Sequence, residues 1–107
     1  MRKSMYEVKI PDSIKIGGFD YTVRHTKESD KELEDADMWG SHSERQRRID
    51  LRTDCLPQQK SASFIHECLH AIDTIYLNRQ IGDEKIIRGL GSGLLQILEQ
   101  LGVRFVK

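Results

Sequence analysis

The chain has only two cysteines, Cys55 and Cys68, and they form no C-x-x-C pair. Two thiols so placed are too few for a disulfide framework. The reading they favour is a reduced protein of the cytoplasm. No run of 18 apolar residues occurs, so no membrane-spanning helix is expected. The opening stretch MRKSMYEVKIPDS lacks the apolar core of a secretory leader. There is no excess of charge either: 17 Lys and Arg stand against 17 Asp and Glu. Neither nucleic acid nor an anionic membrane is therefore expected as a partner. Internal repeats and low-complexity linkers are also missing. The glycine-rich run Gly89 to Gly93 lacks the G-x-G-x-x-G spacing and a preceding strand, which excludes a nucleotide loop.

What is present fits one domain over 1–107 with a modest core, from 37% hydrophobic and 32% charged residues. Charge is uneven along it. Lys27 to Asp37 carries six acids against two bases, and Glu44 to Arg52 carries four Arg against two acids. These segments read as a solvated loop and an exposed strand face.

The sheet-forming region spans about 5–52. In IKIGGFDYTVRH, Ile14 and Ile16 alternate with Lys15, and Phe19, Tyr21 and Val23 alternate with Asp20, Thr22 and Arg24. Gly17-Gly18 between them signals a two-residue hairpin turn. The acidic stretch reads as a loop with at most one helical turn. Met38 to Ser43 and Arg47 to Arg52 read as strands of a second hairpin, bent at Glu44-Arg45-Gln46, with Ile49 and Leu51 on the buried side.

The helical region spans about 57–102. Pro57 suits the first turn of a helix. From Ser61 to Tyr76 the period is helical, with Ile65, Cys68, Leu69, Ile72, Ile75 and Tyr76 on one stripe. Leu77 to Asp83 breaks the period and predicts a turn. A second helix follows, with Ile87, Leu90, Leu94, Ile97, Leu98 and Leu101 on one face and Gly102 as its C-cap. Val103 to Lys107 is a tail or a short last strand. Strands first and helices second argue for an α+β domain with a short antiparallel sheet of two hairpins.

Within the first helix stands His66-Glu67-Cys68-Leu69-His70, an H-E-x-x-H pattern. Composition alone would produce it by chance in roughly one such chain in a hundred. Residues i and i+4 of a helix lie about 40° apart, one turn up. Both imidazoles can therefore reach one Zn²⁺. Their direction is about 120° round from Ile65, at the border of the apolar stripe. A catalytic metal needs such a border, dry on one side and open on the other. Glu67 points about 100° away from His66. It is placed to act as general base on a water activated by the metal. Without a metal, the same residues are two polar groups on a helix flank and a solvated Glu.

A catalytic zinc keeps three protein ligands and one open position. Cys68 lies on the core stripe and reads as a small buried hydrophobe. Cys55, His25 and His42 precede the helix, with nothing to position them. Glu84 opens the second helix, and a tight helical hairpin would bring it back to His70. Asp83 competes but is better suited to capping that helix. Asp73 is either an acceptor for the N–H of a ligand His or an exposed flank residue. Gly91 removes a side chain where the two helices approach, although each mid-helix glycine costs about 1 kcal/mol relative to Ala.

FIHECLHAID (Phe64 to Asp73) followed by DEKIIRGLGSGLLQIL (Asp83 to Leu98) resembles the small phage- and prophage-type zinc metallopeptidases, minimal relatives of the ImmA/IrrE-type peptidases. Their second helix has the pattern E-x-x-apolar-x-x-Leu/Phe-Ala/Gly-x-x-Leu, here Glu84, Ile87, Leu90, Gly91 and Leu94. The front half is similar too, in the hairpin Ile14 to Val23, a Gly beside Trp39 and the Ile49-Asp50-Leu51 strand. Gly89, Gly91, Ser92 and Gly93 depart from the larger relatives, whose extra domains are also absent. The resemblance implies a gluzincin-like, zincin-type fold with one Zn²⁺ per chain held by His66, His70 and Glu84, and Glu67 as the base. It also implies a protein or peptide substrate, such as a phage or host regulator, pairing with an edge strand, Trp39 to Ser43 or Arg47 to Arg52. His42 or a Tyr is then a candidate for steadying the oxyanion. Three readings follow: a zinc endopeptidase, a non-catalytic protein-interaction module stapled by zinc, and a metal-free interaction domain.

Overall fold

Segments of period two form strands and segments of helical period form helices, in an α+β order. The order is β1 (Tyr6–Lys9), β2 (Ser13–Ile16), β3 (Phe19–Arg24), α1 (Lys27–Asp35), β4 (Gly40–Ser43), β5 (Arg48–Leu51), α2 (Pro57–Tyr76), α3 (Glu84–Gln100) and β6 (Val103–Val106). The structure, a computed structural model, describes residues 6–106. The reading of residues 1–5 as part of a leaderless opening lies outside them. No helix among the described residues is long and apolar enough to cross a membrane.

Both expected hairpins form, but the sheet they build is mixed rather than antiparallel. Its order is β2-β3-β5-β4. The hairpin pairs β2/β3 and β4/β5 are antiparallel, whereas β3 and β5 run parallel, with Val23 opposite Ile49. The cause is α1, where a loop was expected. It carries the chain across from β3 so that β5, not β4, lies beside β3. Only Ser29 and Leu33 of α1 are buried, so apolar periodicity does not announce this helix. Capping holds it instead. Thr26 and Ser29 form a reciprocal capping box, and Ser29 Oγ donates to the Leu51 carbonyl at 3.1 Å. A second, two-stranded sheet joins β1 to β6 in parallel.

Position in the sheet also changes strand β5. It is central, so Asp50 is buried along with Ile49 and Leu51. Its carboxylate is bracketed by Arg24 and Arg48, each with a 3.0 Å contact. The acidic and arginine-rich segments also meet each other, through Arg52 and Glu34 at 4.0 Å. Glu32 of α1 also pairs with Arg24, and Arg47 lies over the Phe19 ring at 3.7 Å. Phe19, expected inside, is exposed beyond the reach of the helix that covers Tyr21 and Val23.

Helix α2 crosses the sheet and closes the core. Phe64 and Ala71 meet Ile10, Ile16, Tyr21, Val23, Ile49 and Leu51, with Cys68, Ile75 and Phe105 at the margin. Gly17 in the hairpin turn takes φ +63°, and a Cβ there would lie 2.6 Å from Ile75 Cγ2. Glycine is therefore needed at that turn for conformation and for space. The expected α2 stripe merges two faces. Phe64, Cys68, Ala71 and Ile75 pack on the sheet, while Ile65 and Leu69 meet α3 at Gly91. Ile72 and Tyr76 lie past that contact and are exposed. Helix α3 departs further from expectation. Of its apolar residues only Ile87 is fully buried, whereas Leu90, Leu94, Ile97 and Leu101 face outward. Apolar residues cover nearly half the wheel of α3, and its contact with α2 uses the edge through Ile87 and Gly91.

Candidate metal centre

His66 and His70 come from the middle of α2 and sit half-buried between its core face and solvent. Their Nε2 atoms lie 3.2 Å apart. Glu84, the first residue of α3, reaches both: Oε1 is 2.6 Å from His66 Nε2, and Oε2 is 2.9 Å from His70 Nε2. Among the described residues these three are the group whose donor atoms converge, all within 4.8 Å of one another. Zinc held tetrahedrally at about 2.0–2.1 Å places its ligand atoms about 3.3 Å apart. The observed separations, taken to the two different oxygens of Glu84, are hydrogen-bond distances somewhat shorter than that, and the His₂Glu donor set suits that ion.

The connection between the helices explains how Glu84 returns to His70. Leu77 to Asp83 turns back through Asn78, Arg79 and Gly82, all at positive φ. Asp73 is buried, and its carboxylate accepts from the amides of Ile81 and Gly82, each at 3.0 Å. The two sequence readings of Asp73, acceptor for a ligand His or exposed flank residue, are thereby corrected. Its direction is right, but the folded-back loop reaches it first. Arg79 pairs with Glu44 and ties the loop to the β4–β5 turn. Asp83 caps α3 through the Lys85 amide at 2.8 Å and is not brought to the histidines.

Glu67 faces into the protein, 7% exposed. Together with His66, Glu84, Trp39, Gly40 and Arg88 it lines a cleft of about 280 Å³. Burial first, then the Glu84 charge, push its carboxyl up to about 8. The structure buries this carboxyl, whereas the flank reading had it solvated. Gly40 makes room for it, since a Cβ on Gly40 would lie 3.3 Å from Glu67 Oε2 and 3.2 Å from the Asp50 carbonyl. Burial also lowers the pKa of His66, against the opposing pull of Glu84.

His42 is brought beside the site by β4, with its ring stacked on that of His70 at 6.4 Å and 7°. Its Nε2 is hydrogen-bonded to the buried Tyr21 hydroxyl at 3.2 Å. His25 lies elsewhere, bonded to Asp12 and Lys60. Cys55 donates to the Arg52 carbonyl at 3.6 Å. Cys68 sits against the core as expected, and burial pushes its thiol up to about 12. Sequence reasoning named a Gly beside Trp39 and an unspecified Tyr, but it missed the packing of Gly40 against Glu67, the bond of Tyr21 to His42 and the loop role of Asp73. Trp39-Gly40 at the start of an edge strand was the available signal for the first. Tyr21 read simply as an inward strand residue. No family model, curated protein or solved structure matches the chain.

Proposed function

We propose that the protein is a zinc-dependent peptidase acting on a protein or peptide chain. The observation that carries this reading is the convergence of His66, His70 and Glu84 on one point, with the buried Glu67 carboxyl in the same cleft. His66, His70 and Glu84 would hold the ion. A zinc ion bound there would supply Lewis-acid polarisation and an activated water near neutral pH. Glu67 takes the proton of the attacking water and delivers it to the departing amine, which balances the hydrolysis. The Tyr21–His42 pair steadies the His70 ring by stacking and presents a polar group at the other side of the site.

Strand β4 is the outer strand of its sheet and borders the cleft at Gly40, so an extended substrate can add to it as a further strand. The resemblance to the ImmA/IrrE-type peptidases supports the same assignment of residues. The first test is the metal content of protein purified without added metal. About one zinc per chain is expected in the wild type, with most of it lost in Glu84→Ala. Wild type that folds without zinc sinks the reading. A second arm uses Glu67→Gln, which keeps the metal. Cleavage of a peptide library by the wild type and not by this variant identifies a peptidase. No cleavage by either protein favours the zinc-stapled interaction module.

A further inference from the structure

Helix α3 touches the rest of the molecule along one edge and leaves a second apolar edge uncovered. Ile86, Leu90, Leu94, Ile97 and Leu101 are 40 to 65% exposed. At about 100° per residue they fall within about 80° of arc and form a single stripe along the helix. The charged residues of α3, namely Glu84, Lys85, Arg88 and Glu99, all lie at least about 80° outside that arc. Gly89 and Gly93 flank the stripe, and a Cβ on either would meet nothing within 4 Å.

The stripe is palindromic about the midpoint between residues 93 and 94. Ile86 mirrors Leu101, Leu90 mirrors Ile97, and the small Gly93 mirrors the large Leu94. A two-fold axis through that point, perpendicular to the helix, sets each residue of a pair against its counterpart in an antiparallel second copy. Leu94 of each copy then fills the space left by Gly93 of the other, twice by symmetry. Two uncharged faces meet without repulsion. With five side chains so exposed, each copy offers on the order of 500 Å² of apolar surface, the size that marks interaction faces. Both copies together would bury about 1,000 Å², the lower bound of a specific interface.

We propose that this face of α3 pairs with the same face of a second copy of the chain, antiparallel, to form a two-fold dimer. The pairing lies on the side of α3 away from the metal centre and is independent of the peptidase reading. It also gives a role to Gly93, where a Cβ would meet nothing within 4 Å in one copy.

The test is sedimentation equilibrium of the full chain as purified, from low micromolar to several hundred micromolar. Wild type is expected to be a monomer–dimer system. Leu94→Lys sets two like charges against each other at the axis and raises the dimer Kd by on the order of 100-fold. Gly93→Gln enters open space in the single chain and removes a helix glycine, so it keeps the fold while filling the notch that receives Leu94. It too is expected to dissociate the dimer, with zinc content and far-UV circular dichroism unchanged. A wild type that stays monomeric throughout overturns the proposal and leaves the face to a different occupant. A dimer whose Kd is unchanged in both variants overturns it as well, because the copies then meet elsewhere.

Discussion

The two long helices are close in length and differ in how they are held. Helix α2 buries eight of its residues, including Phe64, Ile65 and Ala71, and spans the sheet. Helix α3 buries two, Ile87 and Gly91. Its start is fixed by other means: Glu84 on two histidines, the Asp83 cap and the Asp73 clasp on the loop before it. One helix is therefore part of the hydrophobic core. The other is docked by polar contacts concentrated at its first turns. A metal bound at those contacts would act as much on the position of α3 as on chemistry, because two of the three ligands sit on the rigid partner and one on the loosely packed one.

The difference can be sharpened by substitution and by chelation. The largest effect is expected from Phe64→Ala on α2, a loss of about 3–5 kcal/mol in urea unfolding, from lost burial and the cavity left behind. At the C-cap of α3, Leu101→Ala should stay within about 0.5 kcal/mol at protein concentrations low enough to keep the chain monomeric, because that side chain is largely exposed. A large loss there would mean that the outer face of α3 is covered. Next comes Asp73→Ala, which strips two loop amides of a charged acceptor and should cost about 2–4 kcal/mol. Zinc affinity should fall with it, since Glu84 is no longer held in register. Unchanged affinity would show that Glu84 finds the histidines without the clasp.

Chelation ranks third. At a free zinc concentration about 100 times Kd the bound ion contributes about 2.7 kcal/mol, and removing it should lower the melting temperature accordingly. Amide exchange should rise mainly in Leu77–Gln100, while Phe64–Ala71 stays protected. Uniform loss of protection would contradict the contrast between the helices. The smallest effect is expected from Gly89→Ala, at protein concentrations low enough to keep the chain monomeric. It enters open space and should stabilise α3 by about 0.5–1 kcal/mol.

Much of the site was legible because its signal is local. His66 and His70 are separated by one helical turn, and the break at Leu77–Asp83 places Glu84 at the start of the returning helix. Local spacing thus carries most of a three-residue cluster, and the helix boundaries fall where the period changes. What was not legible depends on partners distant in the chain. Helix α1 has a single buried apolar side chain and owes its place to the capping of Thr26 and to Leu51, 22 residues beyond Ser29. The parallel pairing of β3 with β5 follows from that helix. Asp50 looks solvent-facing by alternation and is buried because β5 is flanked on both sides. Apolar residues of α3 reach round two edges of the helix, and periodicity cannot say which edge turns inward.

The parallel pairing of β1 with β6 has a bearing on synthesis. Lys9 sits opposite Val106, so the first strand has no neighbour until almost the whole described chain has been made. At about 5–20 residues per second, translation leaves β1 waiting roughly 5–20 s after it emerges from the ribosome. Helix α2 and the four-stranded sheet can close in that interval. The last event is then the stitching of β6 to β1, a long-range closure that draws one edge of the molecule together after His66, His70 and Glu84 have all been translated.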